Sequence, residues 1–224
     1  MTVRATFTRA FSKAFTSDTL HMTRRGIARM RRGSGPGTVH YFHQADDPYS
    51  DLAAQTLSPL MERYRIRLEP HLVSAPDDAA APERARLKKY ALRDAARLAR
   101  RYGLTYPDGA SEPASEATAT VNAQLAHVIA NDSFVERAAS ISAALWQGAT
   151  SNAPASGEGV TRQMMVEGDE LRRNLGHYLS GMFYFDAGLW GAPTYRVDGA
   201  PAHWGQDRLW ALEEDLKAAI ACAH

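Results

Sequence analysis

The chain has 224 residues, 45% of them hydrophobic and 23% charged, with a net charge of +1. That length can bury a real core in one domain, alone or with an inserted subdomain, and no stretch approaches the roughly 18 apolar residues that cross a bilayer. One cysteine, Cys222, excludes an internal disulfide and any Cys-x-x-Cys pair, so a reducing, cytoplasmic setting is expected and dithiol redox chemistry is not.

The charge is unevenly placed. Residues 1–37 hold eight Arg and Lys residues against the single Asp18, so this arm carries +7 and the rest of the chain −6. Phe7, Phe11 and Phe15 recur every four residues and share one helical face. The arm lacks the apolar run of a secretory signal. Three readings stay open for it: docking on its own body or on a second subunit, which admits a homodimer; contact with an anionic surface; and organelle targeting. The mildly acidic body is not expected to bind nucleic acid.

"RRGSGPGTV" (31–39) is a Gly/Pro break between arm and body. "TVHYFHQ" (38–44) reads as a strand, and Leu52, Leu57, Leu60 and Met61 mark a helix from Pro48 to Tyr64. "RIRLEPHLV" (65–73) alternates as a second strand, with Pro70 pointing to a sheet edge or a bulge. The first unit is therefore β-α-β with parallel strands. Helices follow over 83–102, 116–130, 133–148 and 160–180, separated by breaks at 105–115 and 150–159. In the first of them Leu87, Tyr90, Ala91, Asp94, Ala95, Leu98 and Tyr102 step by three and four. Met164 and Met165 read as core filler. "APTYRVDG" and "APAHWG" flank an Asp198-Gly199 turn, a hairpin signal, and a final helix starts near Asp207 with Leu209, Leu212, Leu216 and Ile220 inward. The order β-α-β, helices, β-β-α predicts an α/β thioredoxin fold with an inserted all-helical subdomain. The boundaries are 1–37 for the arm, 38–74 and 181–224 for the thioredoxin-fold domain, and 75–180 for the insertion.

Three stretches resemble the DsbA-like thioredoxin superfamily, in the branch of 2-hydroxychromene-2-carboxylate isomerases and kappa-class glutathione transferases. "YFHQADDPYSDLA" is similar to the first strand and active-site helix start. "KKYALRDAARLARRYGL" (88–104) matches a Y-x-x-x-D-x-x-R-x-A-x-x-x-G helix through Tyr90, Asp94, Arg97, Ala99 and Gly103. "GAPTYRVDGAPAHWGQDRLWALEE" (191–214) follows the branch's G-V-P-T-F-x-V-D-G-x-x-x-F-W-G-x-D-R-L pattern almost position by position. The resemblance implies glutathione as cofactor and a small aromatic or electrophilic substrate. It also implies a cis peptide at Ala192-Pro193, with the Ala192 backbone pairing the cysteine portion of glutathione, and Gln206 and Asp207 at its γ-glutamyl end. Asp207 is equally an N-cap, and Pro193 equally a structural turn.

The departures bear on the chemistry. Asp47 stands where the branch has Ser, or the oxidoreductases their first Cys, and Ser50 stands at the second Cys. The Asn of the branch's loop after the second strand is absent from "HLVSAPDDAAAPE", where Asp77 and Asp78 stand. A carboxylate beside a thiolate costs on the order of 4 kcal/mol at 4 Å and an effective dielectric near 20, against about 1 kcal/mol gained from the helix dipole. Either no thiolate sits there, or Asp47 takes the thiol's proton. Asp47 thus reads as a general base or as an N-cap ahead of Pro48 at N1. Asp47 and Ser50 are the candidate catalytic residues, with Tyr49 beside them. His40 and His43 face opposite sides of their strand, His71, His127, His177 and His203 show no ligand spacing, and no metal site is expected. The expected activity is a glutathione-dependent isomerase or transferase; the alternative is a non-catalytic binding or assembly protein.

Overall fold

The computed structural model describes residues 38–64, 66–76, 83–149, 153–179, 192–197, 202–205 and 209–220. The basic arm, Asp77, Asp78, the Asp198-Gly199 turn, Gln206, Asp207 and Cys222 lie outside the described residues. β1 (Thr38–His43) leads through α1 (Pro48–Tyr64) to β2 (Arg67–Leu72). Four helices follow: α2 (Arg84–Tyr102), α3 (Ser115–Ala130), α4 (Phe134–Trp146) and α5 (Glu158–Leu179). The chain ends in β3 (Thr194–Val197), β4 (Ala202–Trp204) and α6 (Leu209–Ile220).

The sheet order is β2-β1-β3-β4. β1 and β2 are parallel, and β1–β3 and β3–β4 are antiparallel. A parallel β-α-β unit extended by an antiparallel hairpin and a closing helix is the thioredoxin fold. β2 is an edge strand, which accommodates Pro70 because a proline there removes no ladder bond from a second neighbour.

Strand alternation sorts the two sheet faces. Val39, Tyr41 and Tyr195 join Leu57, Leu60, Leu125, Phe134, Leu212 and Leu216 in the main core. Phe42 points the other way and packs with Val73, Ala192 and Leu171 of α5. α5 reaches that face because Gly168 has no side chain: a Cβ there would lie 2.0 Å from the Leu72 carbonyl oxygen. Met164 and Met165 pack against the main core.

The helix expected over 83–102 is present as Arg84–Tyr102, but its apolar steps do not form a buried stripe: Leu87, Tyr90 and Tyr102 are 51%, 54% and 50% exposed. α2 instead docks on α1 through two small residues, Ala95 and Ala99, which pack on Leu52 with Tyr49, Leu98, Leu104 and Tyr106 around them. Close approach through alanines leaves no room to bury the larger side chains, and the N-terminal half of α2 stands away from the core.

Candidate active site

That separation opens a pocket of about 360 Å³ between α2 and the start of α1. Asp47, Pro48 and Tyr49 form its floor, Leu87, Tyr90 and Ala91 its outer wall, and Trp146 and Ala192 close the remaining sides. The wall is largely apolar. Charge is confined to Asp46, Asp47 and a group of Arg84, Lys88 and Glu112, where Lys88 pairs with Glu112 and Arg84 donates to the Pro76 carbonyl.

The sequence dictates the floor. Asp47 caps α1: Oδ2 accepts the Ser50 backbone N–H at 2.8 Å, and the Asp47 carbonyl accepts the N–H of Asp51 at 3.3 Å. Pro48 follows at N1, where no donor is lost. The Ser50 hydroxyl also donates to Asp47 Oδ2, at 2.9 Å. It is fully buried and does not line the pocket. Ser50 therefore holds the carboxylate and is not itself presented to a ligand. The cap and the site are one group: Asp47 closes the helix with one oxygen while standing in the pocket wall.

Burial, in part opposed by the Ser50 hydrogen bonds, raises the Asp47 carboxyl to about 7. Asp51, 1% exposed one turn along the helix, is raised to about 7 by burial. Asp51 Oδ1, the Tyr106 hydroxyl and Trp146 Nε1 are buried without a hydrogen-bond partner. Tyr106 packs on Trp146 with ring centroids 5.6 Å apart, and its phenol is pushed up by burial and then by the nearby Asp51 and Asp47 charges. Two acids that share a low-dielectric region with these groups hold protons that ordinary carboxyls lose near pH 4.

The supports reach outward from there. The Tyr49 hydroxyl donates to Asp94 Oδ2 at 3.0 Å, tying the start of α1 to α2. Asp94 belongs to the helix motif read in the sequence, and its partner is the tyrosine after Pro48. Behind the floor, His43 is fully buried, with the Tyr41 hydroxyl 2.8 Å from Nδ1 and the Ser142 hydroxyl 3.4 Å from Nε2. Burial lowers its imidazole to about 3, so it stays neutral. The Ala192-Pro193 peptide is cis, and Ala192 is at the pocket wall with Asp47.

Of the candidates read in the sequence, Asp47 and Ala192 meet in one pocket, and Ser50 supports the first from behind. Gln206 and Asp207 lie outside the described residues. Sequence reasoning missed Asp51, Tyr106 and Trp146. An acid in the first turn of a helix reads as a partner of the helix dipole, and nothing in "TYPDGA" tells a buried phenol from a loop residue.

Comparison with protein-family models and with curated proteins gives no match. Among solved structures, one described as a selenomethionine form of 2-hydroxychromene-2-carboxylate isomerase is similar to this chain. It is 19% identical with a TM-score of 0.47, over 80% of this chain and 94% of that one.

Proposed function

We propose that the pocket at the start of α1 binds a small, largely apolar or aromatic molecule and that Asp47 moves a proton on it, as in a glutathione-dependent isomerase or transferase. The observation that carries this reading is the Asp47 carboxyl, raised to about 7 in the wall of an apolar pocket. A group that titrates near working pH can both take and return a proton, which an isomerisation requires. Glutathione fits this site in one form only. The Ala192 backbone is at the wall, while the Ser50 hydroxyl is spent on Asp47 and is not free to stabilise a thiolate. Asp47 would instead accept the thiol's proton, becoming neutral as the sulfur becomes charged. That removes the like-charge cost of a carboxylate beside a thiolate.

Calorimetric titration with glutathione at pH 6 and pH 8 tests this, with Asp47→Ser as the companion variant. Binding at millimolar or lower concentration is expected in both proteins. With Asp47 as the base, Asp47→Ser should leave binding intact and lower turnover by about 10²–10⁴. Tighter binding of that variant at pH 8 without lost turnover would overturn the proton-transfer role, because it would mean that a charged carboxylate had stood beside the thiolate. Absence of glutathione binding in both proteins would overturn the glutathione reading.

The second reading, a thioredoxin-fold binding or assembly protein, is favoured by one observation. The hydroxyl at the second-cysteine position is buried and turned to its own helix cap. Displacement of an apolar fluorescent probe from the pocket, with no turnover on any electrophile, would be its signature.

A further inference from the structure

The parallel pairing of β1 and β2 brings together three side chains that the sequence keeps apart. Glu69 is the register partner of His40, and His71 that of Phe42. Alternation then puts His40, Glu69 and His71 on one face of the sheet. His40 Nδ1 lies 3.1 Å from His71 Nε2 and 3.4 Å from Glu69 Oε2. All three ligand atoms fall within 4.8 Å of one another.

We propose that His40, Glu69 and His71 form a binding site for a divalent transition-metal cation of the zinc type, bridging the edge strand to its neighbour. One His40 nitrogen faces two acceptor-bearing groups, and a ring nitrogen has either one proton or one lone pair to offer. It can make a good hydrogen bond to only one of them. A cation within the triangle is met by all three lone pairs. Zinc–nitrogen bonds of about 2.0–2.1 Å in a tetrahedral site put neighbouring ligand atoms about 3.3 Å apart. The His40–His71 and His40–Glu69 edges lie within a few tenths of an ångström of that, and occupation brings the third edge, which is within 4.8 Å, to the same spacing. Two imidazoles and one carboxylate suit zinc and its transition-metal neighbours rather than magnesium or calcium, which prefer all-oxygen sets. Three protein ligands leave a position for water, consistent with the part-exposed side chains, 14% for His40 and 34% for Glu69.

The cationic group beside the triangle opposes entry: Arg67 Nε lies 3.5 Å from Glu69 Oε1. The Arg67 side chain is 72% exposed, so its pairing with Glu69 is weak and is given up at small cost. On the same face Phe42 stacks on His71 with ring centroids 5.0 Å apart and holds the imidazole in place.

The test is calorimetric titration of chelator-treated full chain with zinc sulfate, with magnesium as the contrasting ion. One zinc per chain is expected, with no magnesium binding, and the melting temperature should rise with zinc concentration. His71→Ala and His40→Gln should each weaken binding at least tenfold, roughly the loss that even supporting residues of metal sites produce. Arg67→Ala should strengthen it. His127→Ala, on α3, should leave it unchanged. Should a histidine variant fail to fold, the cobalt-substituted native protein still decides the matter, because nitrogen and oxygen ligation in a low-symmetry site gives an intense visible spectrum. No stoichiometric zinc, half a zinc per chain, or binding that survives both histidine changes would each overturn the proposal. A glutathione result of either sign leaves this outcome untouched, since none of the three side chains lines the pocket.

Discussion

Asp47 carries two obligations in one carboxyl. As a helix cap it is interchangeable with Asn or Ser at small cost. As a titrating group it has no substitute among them. Carbon-13 NMR of the carboxyl should give a midpoint near pH 7, as its burial requires. The Ser50 hydroxyl stabilises the charged form, and a hydrogen bond to a charged group contributes about 1.5–3 kcal/mol. Ser50→Ala should therefore move that midpoint upward by about one to two pH units. A midpoint that stays in place would mean that the backbone N–H alone sets the carboxylate's energy. Asp47→Asn should leave the melting temperature within a few degrees while removing the transition near neutral pH from any activity profile.

Elements meet here through small side chains and single polar ties. Gly168 lets α5 lie on β2, and an added Cβ would meet backbone, namely the Leu72 carbonyl, which cannot rotate away. Gly168→Ala should cost about 2–4 kcal/mol in denaturant unfolding, in the range of severe overpacking. A loss below about 1 kcal/mol would mean that α5 shifts freely on the sheet. α1 and α2 are joined by Tyr49 and Asp94. A double-mutant cycle with Tyr49→Phe and Asp94→Ala should return a coupling of about 1–2 kcal/mol. Tyr49→Phe should also loosen the pocket, whose outer wall is α2.

Across the described residues, two acids and two histidines, Asp51 and His43 buried and Asp47 and His71 half-buried, oppose each other in their response to pH. Asp47 and Asp51 are each raised to about 7, while His43 is lowered to about 3 and His71 to about 4, each chiefly by burial. Between about pH 4 and 6.5 the two acids bind protons in the folded chain that they release on unfolding, so their contribution falls as pH rises. The two histidines bind protons only on unfolding over that range, so theirs rises. The four contributions cancel in pairs, and from these groups stability in chelator should be nearly flat from pH 4.5 to 6.5. Above that range the histidines are neutral in both states and the acids alone continue to weaken the fold to about pH 7. Asp51→Asn removes one acid and should leave a stability that climbs with pH, by about 1.4 kcal/mol per pH unit for one uncompensated proton. Urea unfolding at several pH values measures this. A native protein whose stability climbs steeply from pH 5 to pH 6 would show that the acids are less shifted than their surroundings imply.

Local chemistry is written in the sequence and was legible there. The alternating β-formers of 38–44, the Asp47-Pro48 helix start, Pro70 on an edge strand and the parallel β-α-β unit all follow from backbone sterics and period, which act over a few residues. The element order then leaves few ways to build a sheet, and the thioredoxin topology is among them. Tertiary contact alone decided the rest. Exposure of Leu87 and Tyr90 depends on how closely Ala95 and Ala99 let α2 approach α1, which no apolar period encodes. The raised pKa values of Asp47 and Asp51 depend on what surrounds them, and the same letters on an exposed helix start would titrate near pH 4. His40 and His71 are 31 residues apart in the chain and 3.1 Å apart in space. Their meeting is fixed by strand register, a property of two segments together that neither segment's sequence contains.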